Sequence, residues 1–489
     1  MSNSVDIVLI NPGNRRQVFQ NLGDDVAGIE PPFLVAVLAA YLRGKGYRPA
    51  IIDANAENLA PDEVATRIGQ LAPVLAAVIV YGSQPSASTQ NMTNAGLICA
   101  SIKEHCRQPV AIGGLHPSAL PERTLAEEQV DYVIQGEGFI TLEQLLADLV
   151  AGKVPTGIPG LWQRTGAGVA HTPPPPLMAD LDQFLPTAAW DLLPMQLYRA
   201  HNWHCFDDLE HRSPYGAIYT SLGCPYNCVF CCINAPFGKP GIRYRSPERV
   251  VAEIDLLVNT YGIRNLKIVD ELFILHEPHY LGIVDLLIER GYGLNIWAYA
   301  RVDTVKPEHL ARLKQAGINW LALGIESANP AVRDSAAKRM RVQDVRQVVR
   351  QIQEAGIRVI GNYIFGLPDD TMATMQETLA MALELQCEFA NFYCAMAYPG
   401  SQLFELAVGN GWDLPTSWHG YSQHSYETMP LPTASVSAAE VLRFRDEAFH
   451  TYFAEPSYLA MLEARFGRPV REHVERITAS RLKRRLLGD

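Results

Sequence analysis

Two separate runs of short apolar segments alternating with helical patterns, divided by four consecutive prolines, restrict this chain to an α/β architecture with two large domains. The first run reads DIVLIN, PPFLVAVLAAYLRGKG, RPAIIDA, PDEVATRIGQLA, AAVIVYG, a helix over 89–105, PVAIGG, DYVIQG and TLEQLLADLVAG. Uninterrupted apolar strands between helices imply a parallel sheet covered on both faces, and hence a doubly wound domain of five strands. Such sheets bind ligands beyond the carboxyl ends of their strands, where Asn11, Tyr81, Gly82, Gly113, Gly114, Gly136 and Gly138 fall. GIPGLWQRTGAGVAHT then reads as a hairpin, and Pro173 to Pro176 form a stiff spacer.

The second run carries six strand-helix units: AIYTSLG, NLKIVDE, LNIWAYARVD, WLALGIES, RVIGNYIFGLP and EFANFYCAM, with helices over 246–261, 278–290, 306–316, 341–355 and 370–386 between them. A closed barrel needs eight, so these predict a partial parallel barrel with its chemistry at the strand C-termini. Helical patterns follow in SAAEVLRFRDEAFHTYF and EPSYLAMLEARFG. The expected division is 1–155 for the doubly wound, Rossmann-like domain, 156–211 for hairpin and linker, 212–405 for the barrel, and 406–489 for a helical extension closing the substrate pocket. A net charge of −11 disfavours nucleic acid as a partner. Neither an export signal nor about 18 uninterrupted apolar residues is found, so a cytoplasmic protein without a membrane span is expected.

Nine cysteines, three of them within eight positions, look more like a metal site than a disulfide framework. SLGCPYNCVFCC places Cys224, Cys228 and Cys231 in C-x3-C-x2-C spacing after the first barrel strand. Three thiolates can hold three irons of a cubane and leave the fourth open to a small molecule. A zinc site completed by a histidine or Cys232 is the alternative, although structural zinc more often uses paired C-x2-C knuckles. Cys232 reads as a packed neighbour.

The motif, its position and the later strand ends together resemble the radical S-adenosylmethionine (SAM) superfamily. The resemblance implies a [4Fe–4S] cluster on Cys224, Cys228 and Cys231, with SAM on the open iron and reductive cleavage to a 5′-deoxyadenosyl radical. It further implies that Asp270 or Glu271 meets the methionine amino group, with the choice left open because Val269 replaces the paired glycines usual before the acid. Arg301 would hold the carboxylate, Glu326 and Ser327 the ribose, while Gly361 and Gly366 would let the backbone approach adenine.

The first domain resembles the cobalamin-binding domain of that superfamily, on INPGN with EPPFLVAVLAAYL, on GGLHPSALPE and on DYVIQGEG. The implied slot for the dimethylbenzimidazole tail is opened by Gly113, Gly114, Gly136 and Gly138 at the strand ends beyond Asn11, with Ser83, Ser86 and Glu137 offering hydrogen bonds. No D-x-H-x-x-G follows the first strand and His116 lies in GGLHP instead, so the corrinoid is expected base-off and histidine-off. The whole resemblance implies a cobalamin-dependent radical SAM methyltransferase. It would move a methyl group from SAM through methylcobalamin to an unactivated carbon of a small molecule, with flavodoxin or ferredoxin as electron donor. One alternative is a cobalamin-binding radical SAM enzyme that rearranges, cyclises or epimerises, with Cys394 returning a hydrogen atom. Another is a noncatalytic corrinoid or iron–sulfur carrier. Trp418, His419, Tyr421, His424 and Tyr426, with His201, Trp203 and His204, would either contact substrate or pack.

Overall fold

The computed structural model describes residues 5–13, 15–20, 27–82, 84–166, 168–338, 340 and 345–489. The first sheet contains β1 (Ile7–Asn11), β2 (Pro49–Asp53), β3 (Leu75–Val80), β4 (Val110–Gly114), β5 (Tyr132–Ile134), β6 (Leu161–Thr165) and β7 (Gly168–His171) in the order β2-β1-β3-β4-β5-β6-β7. Its first five strands are parallel, as expected. The hairpin β6–β7 adds two antiparallel strands to their edge, so the sheet has seven strands and not five. β1 and β3 are buried along their whole length because helices such as Phe33–Gly44 and Pro85–His105 cover both faces. Each fully buried valine or isoleucine contributes about 1.5–3 kcal/mol there.

The second sheet is six-stranded and entirely parallel, ordered β15-β14-β13-β12-β11-β8. It comprises β8 (Tyr215–Ile218), β11 (Asn265–Ile268), β12 (Asn295–Arg301), β13 (Ile318–Glu326), β14 (Arg358–Phe365) and β15 (Phe389–Cys394). The stretch read as one first strand divides: after β8 the chain forms β9 (Ser221–Cys224), which pairs antiparallel with β10 (Gly241–Tyr244) and carries the cysteine loop above the barrel. Local signals set the covering helices. Ser246 accepts from the Arg249 amide before helix Pro247–Tyr261, and left-handed Gly262 ends it. Of the helix expected over 341–355, the described part is Val345–Glu354; residues 341–344 lie outside the described residues.

Alternation along the strands sorts the barrel's inner face from its outer one. In register, Lys267 lies beside Trp297, Tyr299 beside Ala322, Arg301 beside Gly324, and Asn362 beside Asn391. The floor is closed by Trp203, which packs on Trp297, Trp320 and Phe389. His204 beside it is fully buried; its Nε2–H donates to the Asn295 carbonyl at 3.1 Å and its Nδ1 has no partner. Burial lowers its pKa to about 3. The folded value lies below the ordinary histidine value, so the stability from neutral His204 is present above about pH 6.5 and is lost as pH falls toward 3. Between pH 7.5 and 5, His204→Asn should therefore lose roughly 2 kcal/mol less stability than the wild type in urea melts. Equal losses would contradict a buried neutral imidazole.

The helical extension holds Gln402–Gly409, Ala438–Phe453, Pro456–Phe466 and Arg468–Thr478. It is tied to the first domain through His419, which lies 3.2 Å from Thr93 Oγ1, and through Trp418, which stacks under Arg123 at 4.5 Å and meets the His116 ring edge-on at 4.4 Å.

Candidate functional site

The three cysteines line a single cavity of about 210 Å³ together with Tyr226, Glu271, Tyr299, Arg301 and Lys338. The loop is pinned locally by the Cys231 amide on the Cys228 carbonyl at 3.0 Å. Burial pushes the Cys224 thiol up to about 11 and Cys231 well above its ordinary value. Among the described residues no three histidine, cysteine or carboxylate groups converge on one point for a single ion. The three thiols share the wall of one chamber.

Both acids lie past the end of β11, in the segment that follows Ile268, and their surroundings decide between them. Asp270 is fully buried and its carboxylate accepts from the Thr220 amide at 2.6 Å and the Ser221 hydroxyl at 2.6 Å, stapling the turn between β8 and β9. It does not line the cavity, so the expected amine contact is not available to it. Glu271 does line the cavity, its Oε2 is buried without a hydrogen-bond partner, and burial raises its pKa to about 8. A buried carboxylate oxygen left unpaired costs about 1–3 kcal/mol or more, a cost that an incoming ammonium would cancel.

Arg301 reaches the same chamber, held by Asp303 at 2.9 Å and stacked on the Tyr226 ring at 4.1 Å. Glu326 has left-handed backbone, φ 61°, at a bulge against β14, and its carboxylate pairs with Lys338. Such strain persists only where surrounding contacts fix it. Gly324 supplies the space, because a side chain there would overlap the Lys338 ammonium. Sequence reasoning missed Lys338 and Tyr226. Tyr226 sits inside the cysteine motif and could have been singled out; Lys338 carries no local signal twelve residues beyond Glu326.

Three expected contacts are corrected. Ser327 is fully buried against Thr378 at 3.2 Å, on the helix side of the sheet. Gly361 lies under the Tyr363 ring, where a Cβ would come within 2.8 Å. Gly366 has φ 79° and would press a Cβ to 2.7 Å from Val441, while its amide donates to Asp370 at 3.0 Å. Protein packing accounts for both glycines.

Two further cavities lie beside this chamber, on the first domain's side. One, of about 110 Å³, is lined by Asn11, Tyr81, Gly82, His201 and Tyr219, and shares Val269 with the cysteine chamber. The next shares Tyr81 and is lined by Gly113, Gly114, Gly136, Glu137 and Gly138 between Leu38, Ile79, Ile134 and Leu142. Its volume of about 10 Å³ holds one water-sized sphere, so a benzimidazole needs Leu38 or Leu142 displaced. The lining fits such a group in kind: apolar walls, and glycines whose added Cβ would lie 3.2 Å from Ile134 at Gly113 and 3.4 Å at Gly138.

Other first-domain expectations change. Asn11 donates to buried Asp53 at 2.8 Å, and its residue lines the larger cavity. Glu137 lines the slot, but its carboxylate accepts from Arg243 of β10 at 2.8 Å and from the Met178 amide at 3.1 Å, so it also joins the domains. Ser86 is engaged with Tyr398. Ser83 lies outside the described residues. His116 is buried against Thr89 and Trp418 and lines neither first-domain cavity described above; burial lowers its pKa to about 3. Cys394 faces away from the barrel interior, its amide and carbonyl both bound to Gln423, so the hydrogen-donor role does not suit it. Tyr421 packs near Tyr398, Tyr426 bonds the Asp489 carbonyl, and none of 418–426 reaches the cysteine chamber.

A family model described as the radical SAM superfamily matches residues 218–382, and one described as a B12 binding domain matches residues 21–146. An uncharacterized methyltransferase of Pyrococcus horikoshii is 31% identical over 432 residues, covering 88% of this chain and 89% of its own. An anaerobic magnesium-protoporphyrin IX monomethyl ester cyclase of Rubrivivax gelatinosus is 26% identical over 396 residues, covering 78% and 67%. The fold is shared with the radical SAM methyltransferase TsrM of Kitasatospora setae, with a TM-score of 0.68 at 18% identity over 93% of this chain and 90% of that one.

Proposed function

Because the chain belongs to the cobalamin-dependent methyltransferases of the radical SAM superfamily, we propose that its adjoining cavities serve to carry a methyl group from SAM to an unactivated carbon of a small molecule. The observation that carries this reading is that the cysteine chamber and the B12-domain cavities are neighbours, Val269 standing in the wall of the first two and Tyr81 in the wall of the second pair. When bound, the cluster supplies the electron that cleaves SAM and the corrinoid relays a methyl group.

Cys224, Cys228 and Cys231 would hold the cluster. Glu271 would accept the methionine ammonium, and Arg301 and Lys338 would face its carboxylate. Glu326, fixed by Lys338, would orient toward the ribose. Asn11, Tyr81 and Gly82 would meet the corrin edge, and the glycine-lined slot its tail. His116 is turned away from both first-domain cavities, which supports a base-off, histidine-off corrinoid. We divide the chain by these roles: 1–155 for corrinoid, 212–405 for cluster and SAM, joined by 156–211 and closed by 406–489. Flavodoxin or ferredoxin would supply the electron in the cytoplasm. Among the described residues no helix is long and apolar enough to cross a membrane.

The cyclase relative makes cyclisation the second outcome for the same machinery, whereas the outward Cys394 weakens epimerisation. The test is anaerobic reconstitution with iron, sulfide, hydroxocobalamin and SAM, then reduction with dithionite. We expect 5′-deoxyadenosine from the wild type, and in Glu271→Gln a SAM affinity lowered about tenfold to a hundredfold, the worth of one charge-assisted hydrogen bond. No SAM cleavage by the loaded wild type would overturn the enzymatic reading in favour of a carrier.

A further inference from the structure

The largest cavity described, about 500 Å³, lies apart from the chamber and cavities above, at the free edge of β15. That is within the size range of small-molecule sites. On the barrel side it is lined by Phe389, Asn391 and Tyr393, the inward residues of that strand. Ala390 and Phe392 of the same strand also border it, and the Phe392 ring packs on Tyr363 and Tyr452. On the far side lie Phe449 and Phe453 of helix Ala438–Phe453.

Two features give the cavity direction. Toward the barrel, Asn391 donates to Asn362 at 2.9 Å, and Tyr393 lies beside Ile364 in register. Phe230 of the cysteine loop packs in the same apolar cluster as Tyr393. Toward solvent, the rim carries Arg443 and Arg481, both exposed. The other two arginines in the wall are spent within the protein: Arg445 donates to the Phe392 carbonyl at 2.8 Å, and Arg484 pairs with Asp446 at 2.8 Å. The wall also carries Asp446, which is paired with Arg484, and the exposed Glu447 and Asp489, so the anion's place is between Arg443 and Arg481, above an aromatic wall and a polar inner end.

We propose that this cavity is the substrate site, and that it takes an amphipathic anion. The apolar body lies against Phe389, Phe449 and Phe453, the carboxylate, sulfonate or phosphate meets Arg443 and Arg481, and the opposite end passes Asn391 and Tyr393 toward the cysteine chamber. This deepens the methyltransferase reading and rests on it for the word substrate.

The probe is 8-anilinonaphthalene-1-sulfonate, an aromatic anion, titrated by calorimetry into the reconstituted holoenzyme, with neutral N-phenyl-1-naphthylamine as its uncharged counterpart. One equivalent should bind to the wild type. The doubly exposed change Arg443→Ala with Arg481→Ala should weaken the sulfonate about fivefold to tenfold and leave the neutral probe unaffected. Asn391→Trp, which fills the inner end, should weaken both probes at least tenfold. Sulfonate affinity indifferent to all these changes would overturn the proposal. SAM cleavage is measured on the same wild-type sample: its absence alongside the expected probe pattern counts against the methyltransferase reading, and its presence with indifferent probe binding counts against this cavity alone.

Discussion

Cys224→Ala, Cys228→Ala and Cys231→Ala should each reduce 5′-deoxyadenosine formation to the background of the enzyme-free mixture and remove the iron–sulfur absorbance of the reconstituted protein. The three thiols share one chamber wall, and a cubane held at three corners has no spare protein ligand to replace a lost one. Cys232 is the internal control. It is buried in a small apolar cluster with Leu115 and Ile233, so Cys232→Ala should retain the cluster. Absorbance and cleavage surviving any of the first three changes would remove that cysteine from the ligand set.

The second large effect concerns the first domain. Gly114 has φ 130°, and a Cβ there would overlap the backbone carbonyl of Val80 on the neighbouring strand. Neither partner can yield, since β3 and β4 are in register at that pair. Gly114→Ala should cost about 3 kcal/mol or more, from backbone strain and overlap together. Thermal unfolding and corrinoid loading should fall together. At Gly113 an added Cβ meets only the Ile134 side chain at 3.2 Å, at the slot itself. Gly113→Ala should therefore lower corrinoid loading while the melting temperature changes little. The opposite pattern, with Gly114→Ala stable and Gly113→Ala unfolded, would contradict the division of these two glycines between strand packing and slot.

These two cases mark how far the sequence is legible. Both parallel sheets could be read from apolar periodicity, because strands buried on both faces allow little else. The cysteine chamber was legible because its ligands are adjacent in the chain. Glu271 was half legible: its place after the second barrel strand could be read, but its separation from Asp270 could not, because that depends on Thr220 and Ser221 binding Asp270. Lys338 was not legible, because its ion pair with Glu326 depends on a bulge and on the space at Gly324. Gly361 and Gly366 were misread in the same way, and Gly114, which does line the slot, carries a packing demand that was not legible. A glycine at a strand end signals close approach, but the approaching group is a Tyr363 ring, a Val441 side chain or a Val80 carbonyl, which only tertiary packing determines. Glu137 was assigned to the slot, which it lines, but its partner, Arg243, stands 106 residues away in the other domain and was not legible.

The most direct measurement is a single turnover with SAM carrying a trideuterated methyl group, added anaerobically to protein loaded with cluster and cobalamin and then reduced, with the extracted corrinoid weighed by mass spectrometry. The account predicts a corrinoid bearing the deuterated methyl group together with unlabelled 5′-deoxyadenosine. Deoxyadenosine with an unmethylated corrinoid would contradict methyl relay between the two domains.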